Sequence, residues 1–242
     1  MARILITGST DGLGRIAAEH LQAAGHHVTV HARDDHRLAS LRPLVDDGAS
    51  AVVGDLADRE QVRDIAAQAE ELGGFDAVIH NAGVLRGAHL PPVNVVAPYL
   101  LTALLPRPRC LIILSSGLHH GGHPALEGLD WAGEQETATY ADTKLMATAL
   151  AAAVERRWPE TVSHAVDPGW VPTRMGGASA TGDLREGTRT QEWLAVTADA
   201  AAGVGGYWHH RRREEPHAAV HDEQFQGQLL SALAQHTGVT LD

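Results

Sequence analysis

The sequence predicts an α/β fold, a doubly wound parallel sheet of about seven strands inside a three-layer α/β/α sandwich. Three observations predict it. Short β-branched runs alternate with longer Ala/Leu-rich stretches along the 242 residues. Helix-length segments between successive strands call for right-handed crossovers, which set the strands parallel and cover both sheet faces. Apolar residues make up 44% of the chain and charged residues 20%, enough to fill a core and too little charge for a disordered chain. No repeat, low-complexity tract or linker divides the sequence, so one domain over 1–242 is expected.

In order, Ile4-Leu5-Ile6 reads as a buried strand. Leu13, Ile16, Ala17, Leu21 and Ala24 then share one helical face, which Gly25 ends. Val28-Thr29-Val30 is a second strand, and a helix around 35–46 should be disturbed by Pro43. Ala51-Val52-Val53 is a third strand, with a charged, Ala-rich helix over 58–72. Residues 77–79 form a fourth strand, 94–105 a helix and 110–114 a fifth strand. A long helix spans 137–158, and Pro159 stops it. Residues 162–166 are a sixth strand, and the Gly/Pro-rich stretch 167–190 reads as a functional loop. A short helix at 190–195, a last strand at 204–208 and a helix over 222–236 complete the order.

Composition narrows the function classes. Nineteen basic against thirty acidic residues give a net charge of −11, which disfavours a nucleic-acid or anionic-membrane partner. No segment approaches the ~18–20 apolar residues of a membrane span. The N-terminus runs from Met1 through Ile6 into a Gly-rich turn without a signal-peptide core. A soluble, cytoplasmic protein is expected. The lone Cys110 excludes an intrachain disulfide and a cysteine metal cluster. Sixteen histidines cluster at His26-His27, at His119-His120 with His123, and at His209-His210, without a complete metal-ligand set. No metal is expected. Arg211-Arg212-Arg213, followed by Glu214-Glu215, reads as a solvated charge run.

Two constellations carry chemistry. The first strand ends in Thr7-Gly8-Ser9-Thr10-Asp11-Gly12-Leu13-Gly14 as a helix begins. Glycines permit unusual backbone angles, and the free N–H groups of a helix start make an anion site. The second strand runs on into His31-Ala32-Arg33-Asp34-Asp35-His36-Arg37. In a nucleotide-binding βαβ unit, an acidic residue there binds the ribose, whereas an arginine accommodates a 2′-phosphate. Arg33, assisted by Arg37, favours NADP; Asp34 or Asp35 would reverse the preference if either reached the ribose. The second constellation is Tyr140 and Lys144, four residues apart and so on one helical face. A phenol is a poor acid–base group at neutral pH until a nearby ammonium stabilises its phenolate.

Together these two constellations resemble the short-chain dehydrogenase/reductase family, over nearly the whole chain. The resemblance implies a Rossmann-type sheet and a dinucleotide seated on Gly8, Ser9, Thr10, Asp11, Gly12, Leu13 and Gly14. Arg33 would select the cofactor. Asp55, with Leu56 beside it, matches the family's adenine contact, and Asn81-Ala82-Gly83 matches its turn after the fourth strand. Asn94 matches the asparagine of the catalytic tetrad, and Ser116 of Ser115-Ser116 the catalytic serine. Pro168, Gly169, Val171 and Thr173 lie in the segment that contacts the nicotinamide end. The finer likeness is to the retinol-dehydrogenase-like and daunorubicin-ketoreductase-like branch, through residues 115–120, Leu129-Asp130-Trp131 and Gly206-Tyr207-Trp208.

The implied reaction interconverts a ketone or aldehyde and an alcohol, with NADP(H) favoured and NAD(H) the alternative cofactor. Ser116 would hydrogen-bond the substrate oxygen, and Tyr140 would give it a proton as hydride leaves the nicotinamide. Lys144 would hold the ribose hydroxyls and lower the Tyr140 pKa. Asn94 would hold a water linking Lys144 to solvent. Rival classes are a catalytically silent dinucleotide sensor, a Ser-His-Asp hydrolase, for which no G-x-S-x-G elbow is present, and a sugar-nucleotide epimerase, for which too few C-terminal residues remain.

The sequence also departs from the family. Only the ten residues 84–93 separate Gly83 from Asn94, and Leu90-Pro91-Pro92 should prevent an early start of the asparagine helix. That helix often serves a subunit interface in the family, so a tetramer is doubtful and a monomer or homodimer is expected. Residues 117–136 should wall the pocket, with His119 and His120 as candidate substrate contacts. Trp170 and Trp193 flank a lid over 174–192, each as core anchor or substrate contact. The uncharged lid run Met175 to Ala178 points to an apolar or aromatic carbonyl compound.

Overall fold

The computed structural model describes residues 1–197 and 203–242. In chain order the elements are β1 Arg3–Ile6, α1 Gly12–Ala23, β2 His27–Ala32, α2 Asp35–Leu38, α3 Arg42–Asp46, β3 Ser50–Val53, α4 Arg59–Glu71 and β4 Ala77–His80. There follow α5 Ala97–Leu104, β5 Cys110–Leu114, α6 Tyr140–Arg157, β6 Val162–Asp167, α7 Leu184–Val196, β7 Gly206–His209, β8 Arg212–Glu214 and α8 Glu223–Thr237.

One sheet runs in the order β3-β2-β1-β4-β5-β6-β7-β8. The first seven strands are parallel, and β8 pairs antiparallel with β7. The sheet is Rossmann-like and doubly wound, with its direction of growth reversing between β1 and β4. Side chains alternate between two apolar layers, as strand geometry demands. Leu111 and Ile113 of β5 enter the layer under α4, α5, α6 and α8, whereas Cys110, Ile112 and Leu114 enter the layer under α1, α3 and α7. Both faces are therefore dry, and the strands read as continuous apolar runs.

The sheet has one strand more than expected. β8 lies inside the arginine run, with Arg212, Arg213 and Glu214 all exposed. An edge strand solvated on its outer side needs no apolar alternation, and its charges discourage further pairing. The turn before it puts His210 and Arg211 at positive φ, 46° and 62°.

Four helix boundaries also moved. The 35–46 helix breaks into α2, a 3-10 turn at Ala39–Leu41 and α3, with Pro43 in the first turn of α3, where its missing N–H costs nothing. Pro91 is already helical (φ −64°, ψ −47°), and a wide π turn over Pro92–Val96 leads into α5. The prolines thus start this helix rather than delay it. α7 begins at Leu184, inside the stretch read as loop. Its low-propensity Gly187 is there for packing: a Cβ would lie 2.9 Å from Val171 Cγ1 and 3.1 Å from Leu13 Cδ2. α6 starts at Tyr140 because Thr139 and Asp142 form a reciprocal capping box. Among the described residues no helix is long and apolar enough to cross a membrane.

Candidate active site

The carboxyl ends of β1, β2, β4 and β5 open onto a cleft of about 510 Å³, at the crevice where doubly wound sheets bind ligands. Gly8, Thr10, Asp11, Gly12 and Leu13 line one end, with Arg33, Asp55 and Leu56 beside them. Asn81, Ala82 and Gly83 line the middle, and Tyr140, Lys144, Pro168 and Thr173 the other end. Ser9, Gly14, Asn94, Ser116, Gly169 and Val171 are not part of this lining.

The glycine turn is fixed by hydrogen bonds to neighbouring strands. The fully buried Ser9 donates its hydroxyl to the Ile6 carbonyl at 2.5 Å and accepts the His31 amide at 3.2 Å. Asn81 Nδ2 donates to the Thr7 and Gly8 carbonyls at 2.9 and 3.2 Å. Gly8 has φ +68°, and a Cβ there would meet Ala82 at 2.9 Å. A Cβ on Gly14 would collide with Asn81 Nδ2 and the Gly8 carbonyl oxygen. Ser9 and Gly14 therefore pack the turn from behind, and Val171, 5% exposed, packs against Gly187.

His31 lines the cleft and was not singled out in the sequence, although it opens the run that contains Arg33. Its Nδ1 accepts the Gly8 amide at 3.0 Å and its Nε2 faces the Gly54 carbonyl at 2.9 Å. That pattern makes Nε2 the protonated nitrogen, and burial lowers the ring's pKa. Arg37 also lines the cleft, donating to Thr10 Oγ1 at 2.9 Å and Asp11 Oδ2 at 2.7 Å. Asp34 is spent as the N-cap of α2: it accepts the Arg37 amide at 2.7 Å and Arg33 Nε at 3.3 Å. Neither Asp34 nor the exposed Asp35 lines the cleft.

At the other end Asn94 ties three segments together. Its Oδ1 accepts the Val84 amide at 2.9 Å, and its Nδ2 donates to the Val84 carbonyl and to Thr143 Oγ1, both at 3.0 Å. Both amide hydrogens are committed, so a water held by Asn94 could not use them. The residue instead pins the turn after β4 to the first turn of α6, which carries Tyr140. Nearby, a Cβ on Gly83 would stand 3.6 Å from Lys144 Nζ and 3.2 Å from Asn94 Oδ1. The missing side chain leaves a cradle beside the lysine.

Lys144 is buried, with Nζ 2.6 Å from the Leu114 carbonyl and 5.6 Å from the Tyr140 ring centre. Burial pulls its pKa down to about 8, and the Asp167 carboxylate opposes that shift. Burial pushes the Tyr140 phenol up to about 12; a hydrogen bond from Ser116 works against this and Asp167 adds to it. Ser116 thus favours the phenolate, and the Lys144 Nζ stands one helical turn away, on the face the spacing predicted. Ser115 lines the cleft beside Leu114, and its hydroxyl lies 2.6 Å from Thr148 Oγ1.

His119 is fully buried and not a pocket wall, because its ring sits between Tyr207 and the exposed His120. Trp193 packs edge-on to Trp208 at 5.3 Å as a core anchor, whereas Trp170 is 57% exposed. No group of three or more potential metal ligands occurs among the described residues.

Residues 2–97 match the family described as short chain dehydrogenase. The short-chain dehydrogenase chry4 of Gibberella zeae is 37% identical over 256 residues, covering all of this chain and 99% of its own. Short-chain dehydrogenase chyC of Penicillium rubens is 36% identical, with the same coverage. More distant relatives are DnrU of Streptomyces sp., named for daunorubicin C-13 ketoreduction, at 28%, and human retinol dehydrogenase 13 at 24%. They cover 98% of this chain each, and 93% and 84% of their own lengths. Among solved structures, one from Mycobacterium paratuberculosis superposes with a TM-score of 0.78 at 22% identity, covering 100% of this chain and 95% of its own. The Pseudomonas aeruginosa RhlG/NADP complex superposes at 0.66 and 21%, covering 86% and 94%. With relatives this similar along its full length, the chain belongs to the short-chain dehydrogenase/reductase family of oxidoreductases.

Proposed function

We propose that this protein is an NADP(H)-linked carbonyl reductase or alcohol dehydrogenase whose 242 residues act as one catalytic domain. The observation that carries this reading is the cleft itself: a fixed glycine turn lines one end and Tyr140 and Lys144 the other, with Ser116 behind the lining as a hydrogen-bond partner of Tyr140. The cradle at Gly83 and the glycine turn suit a dinucleotide laid between them, and the volume falls within the roughly 300–1,000 Å³ of ligand sites. Two guanidinium groups, Arg33 and Arg37, line the β2 end, while Asp34 caps α2 and the exposed Asp35 lies outside the lining. That favours a 2′-phosphate, hence NADP(H) over NAD(H). The NADP named in the RhlG complex is consistent with this choice.

A bound nicotinamide would supply the hydride chemistry. Ser116 would hydrogen-bond the substrate oxygen, and Tyr140 would give that oxygen its phenolic proton, or take one from an alcohol in reverse. Such donors act best in a water-poor pocket, where developing charge is least screened. Lys144 would hold the ribose hydroxyls from the floor beside Gly83. Asn94 would keep Lys144 and Tyr140 in register with the turn after β4. The exposed Leu118, Trp170 and Met175 on the loops after β5 and β6 would receive an apolar or aromatic carbonyl compound. A monomer or homodimer fits this reading.

Tyr140→Phe should abolish turnover of carbonyl substrates while NADPH still binds. A titration of NADPH against NADH, repeated with Arg33→Ala, tests the cofactor. Equal affinities, with no effect of the substitution, would remove the NADP assignment. Persistent turnover in Tyr140→Phe would remove the mechanism.

A further inference from the structure

We infer that Asp167, at the end of β6, is a positioning residue that sets the pH range of the proposed proton transfer from a fixed carboxylate behind Ser116. The inference rests on the reaction proposed above and deepens it.

The carboxylate is held from several sides. Its Oδ1 accepts the Gly169 amide at 2.9 Å, and its Oδ2 accepts the Tyr207 hydroxyl at 3.2 Å. His209 Nδ1 of β7 lies 3.3 Å from Oδ2. On the substrate side, a Cβ added to Gly117 would stand 3.1 Å from Oδ2. Gly117 directly follows Ser116, the hydrogen-bond partner of Tyr140. Asp167 is therefore packed against the loop that carries the serine, at only 9% exposure.

A second path runs from Asp167 to Ser116 through rings. Tyr207, fixed by its bond to Asp167, packs on the His119 ring at 4.6 Å. His119 Nδ1 lies 2.8 Å from the Ser116 carbonyl, and its Nε2 accepts the His217 amide at 3.1 Å. The imidazole is thus neutral and donates to the serine backbone. Burial keeps it neutral, with its pKa lowered to about 4. The charged and titratable groups facing the Asp167 carboxylate are Tyr207 and His209 from β7, His119 from the loop after β5, and Tyr140 and Lys144 from α6.

The chemical consequence concerns the phenol. In reduction, the Tyr140 O–H bond breaks and its proton goes to the substrate oxygen as two electrons arrive with the hydride; solvent then reprotonates the phenolate. Oxidation runs the same transfer backwards and needs the phenolate first. A carboxylate behind the serine disfavours a second anion on Tyr140 and favours the cation on Lys144. It cannot change the overall equilibrium. It places the alkaline limb of alcohol oxidation high on the pH scale and leaves the phenol loaded with its proton at neutral pH.

The test is the pH profile of kcat for alcohol oxidation in Asp167→Asn, a near-isosteric change that removes the charge. The limb should move to lower pH by about one unit, or about a tenfold gain in rate at a pH below the limb. Ultraviolet difference titration of the phenolate without cofactor, referenced to Tyr140→Phe, should show the same shift. Tyr207→Phe keeps the charge and removes one donor, so its limb should stay or move to higher pH while kcat falls at every pH. An unmoved limb and titration in an Asp167→Asn protein that still binds NADPH would overturn the inference. So would an acid shift in Tyr207→Phe, which can be read even if Asp167→Asn does not fold. Turnover by Tyr140→Phe would instead strike the proposed reaction, leaving the phenolate titration to judge Asp167.

Discussion

The two ends of the cleft are built from different materials. The β1–α1 end is backbone and glycine: Gly8, Gly12 and Gly14 shape a turn that Ser9, Asn81 and His31 hold by hydrogen bonds. The α6 end is made of titratable side chains, the partly buried Tyr140 with the buried Lys144, Asp167 and His119, their charges and protons in mutual reach. Steric fit decides what the first end tolerates, whereas electrostatics decides how the second behaves. Substitutions at the first should act on folding and affinity at every pH, and those at the second on rate as a function of pH.

The sharpest way to break this contrast is Gly14→Ala. The added methyl meets Asn81 and the Gly8 carbonyl, which belong to the rigid turn. Overpacking of this kind costs about 1–3 kcal/mol, and more against backbone. A large fall in Tm and loss of NADPH binding are expected by thermal scanning and fluorescence titration; a variant that binds normally would show the turn to be softer than argued.

Asn94→Ala comes next, because it bridges the two ends. It leaves the part-buried Val84 amide and carbonyl without their partner, at about 1–3 kcal/mol for an unsatisfied group and less where water reaches it. Stability should fall by that order and kcat more than NADPH affinity, since α6 moves while the glycine turn does not. Equal losses in both would mean that the ends are one mechanical unit.

At neutral pH the effect vanishes in the last test, a pH dependence of stability that appears only on acidification. His119 and His80 are buried and neutral, with pKa values lowered to about 4 and about 3, chiefly by burial. Unfolded imidazoles take up protons near pH 6.5, which the folded ones do not, so the unfolded state binds more protons between those values. Stability should be flat above about pH 7 and decline from about pH 6.5 down to 4, continuing more weakly to 3. Chemical denaturation at several pH values, with His119→Asn for comparison, measures this; an unchanged slope in the variant would assign the decline to other groups.

How much of this was legible follows from the same contrast. The glycines, Asn81 and the Tyr140–Lys144 pair could be read because their chemistry dictates residue type at fixed spacing, and the cleft brings them together. Asp34 could not be assigned, since capping α2 and reaching a ribose call for the same side chain in the same place. His119 read as a pocket wall because a sequence carries no sign of which neighbour, here Tyr207, will cover a ring. β8 was missed where an exposed edge needs no apolar pattern, and the start of α7 where Gly187 answers to a tertiary contact rather than to helix propensity. The part that Ser116 and burial play in the acidity of Tyr140 was not legible, because spacing shows a cation one turn away but neither the depth of a ring nor its partner from another loop.

The bond from the Gly8 amide to His31 carries one more consequence. An amide already committed to an imidazole cannot also serve an incoming pyrophosphate. Grip on such a ligand must come from donors further along, where α1 begins, while the opening of the loop works as a splint: it shapes the seat and leaves the holding to others.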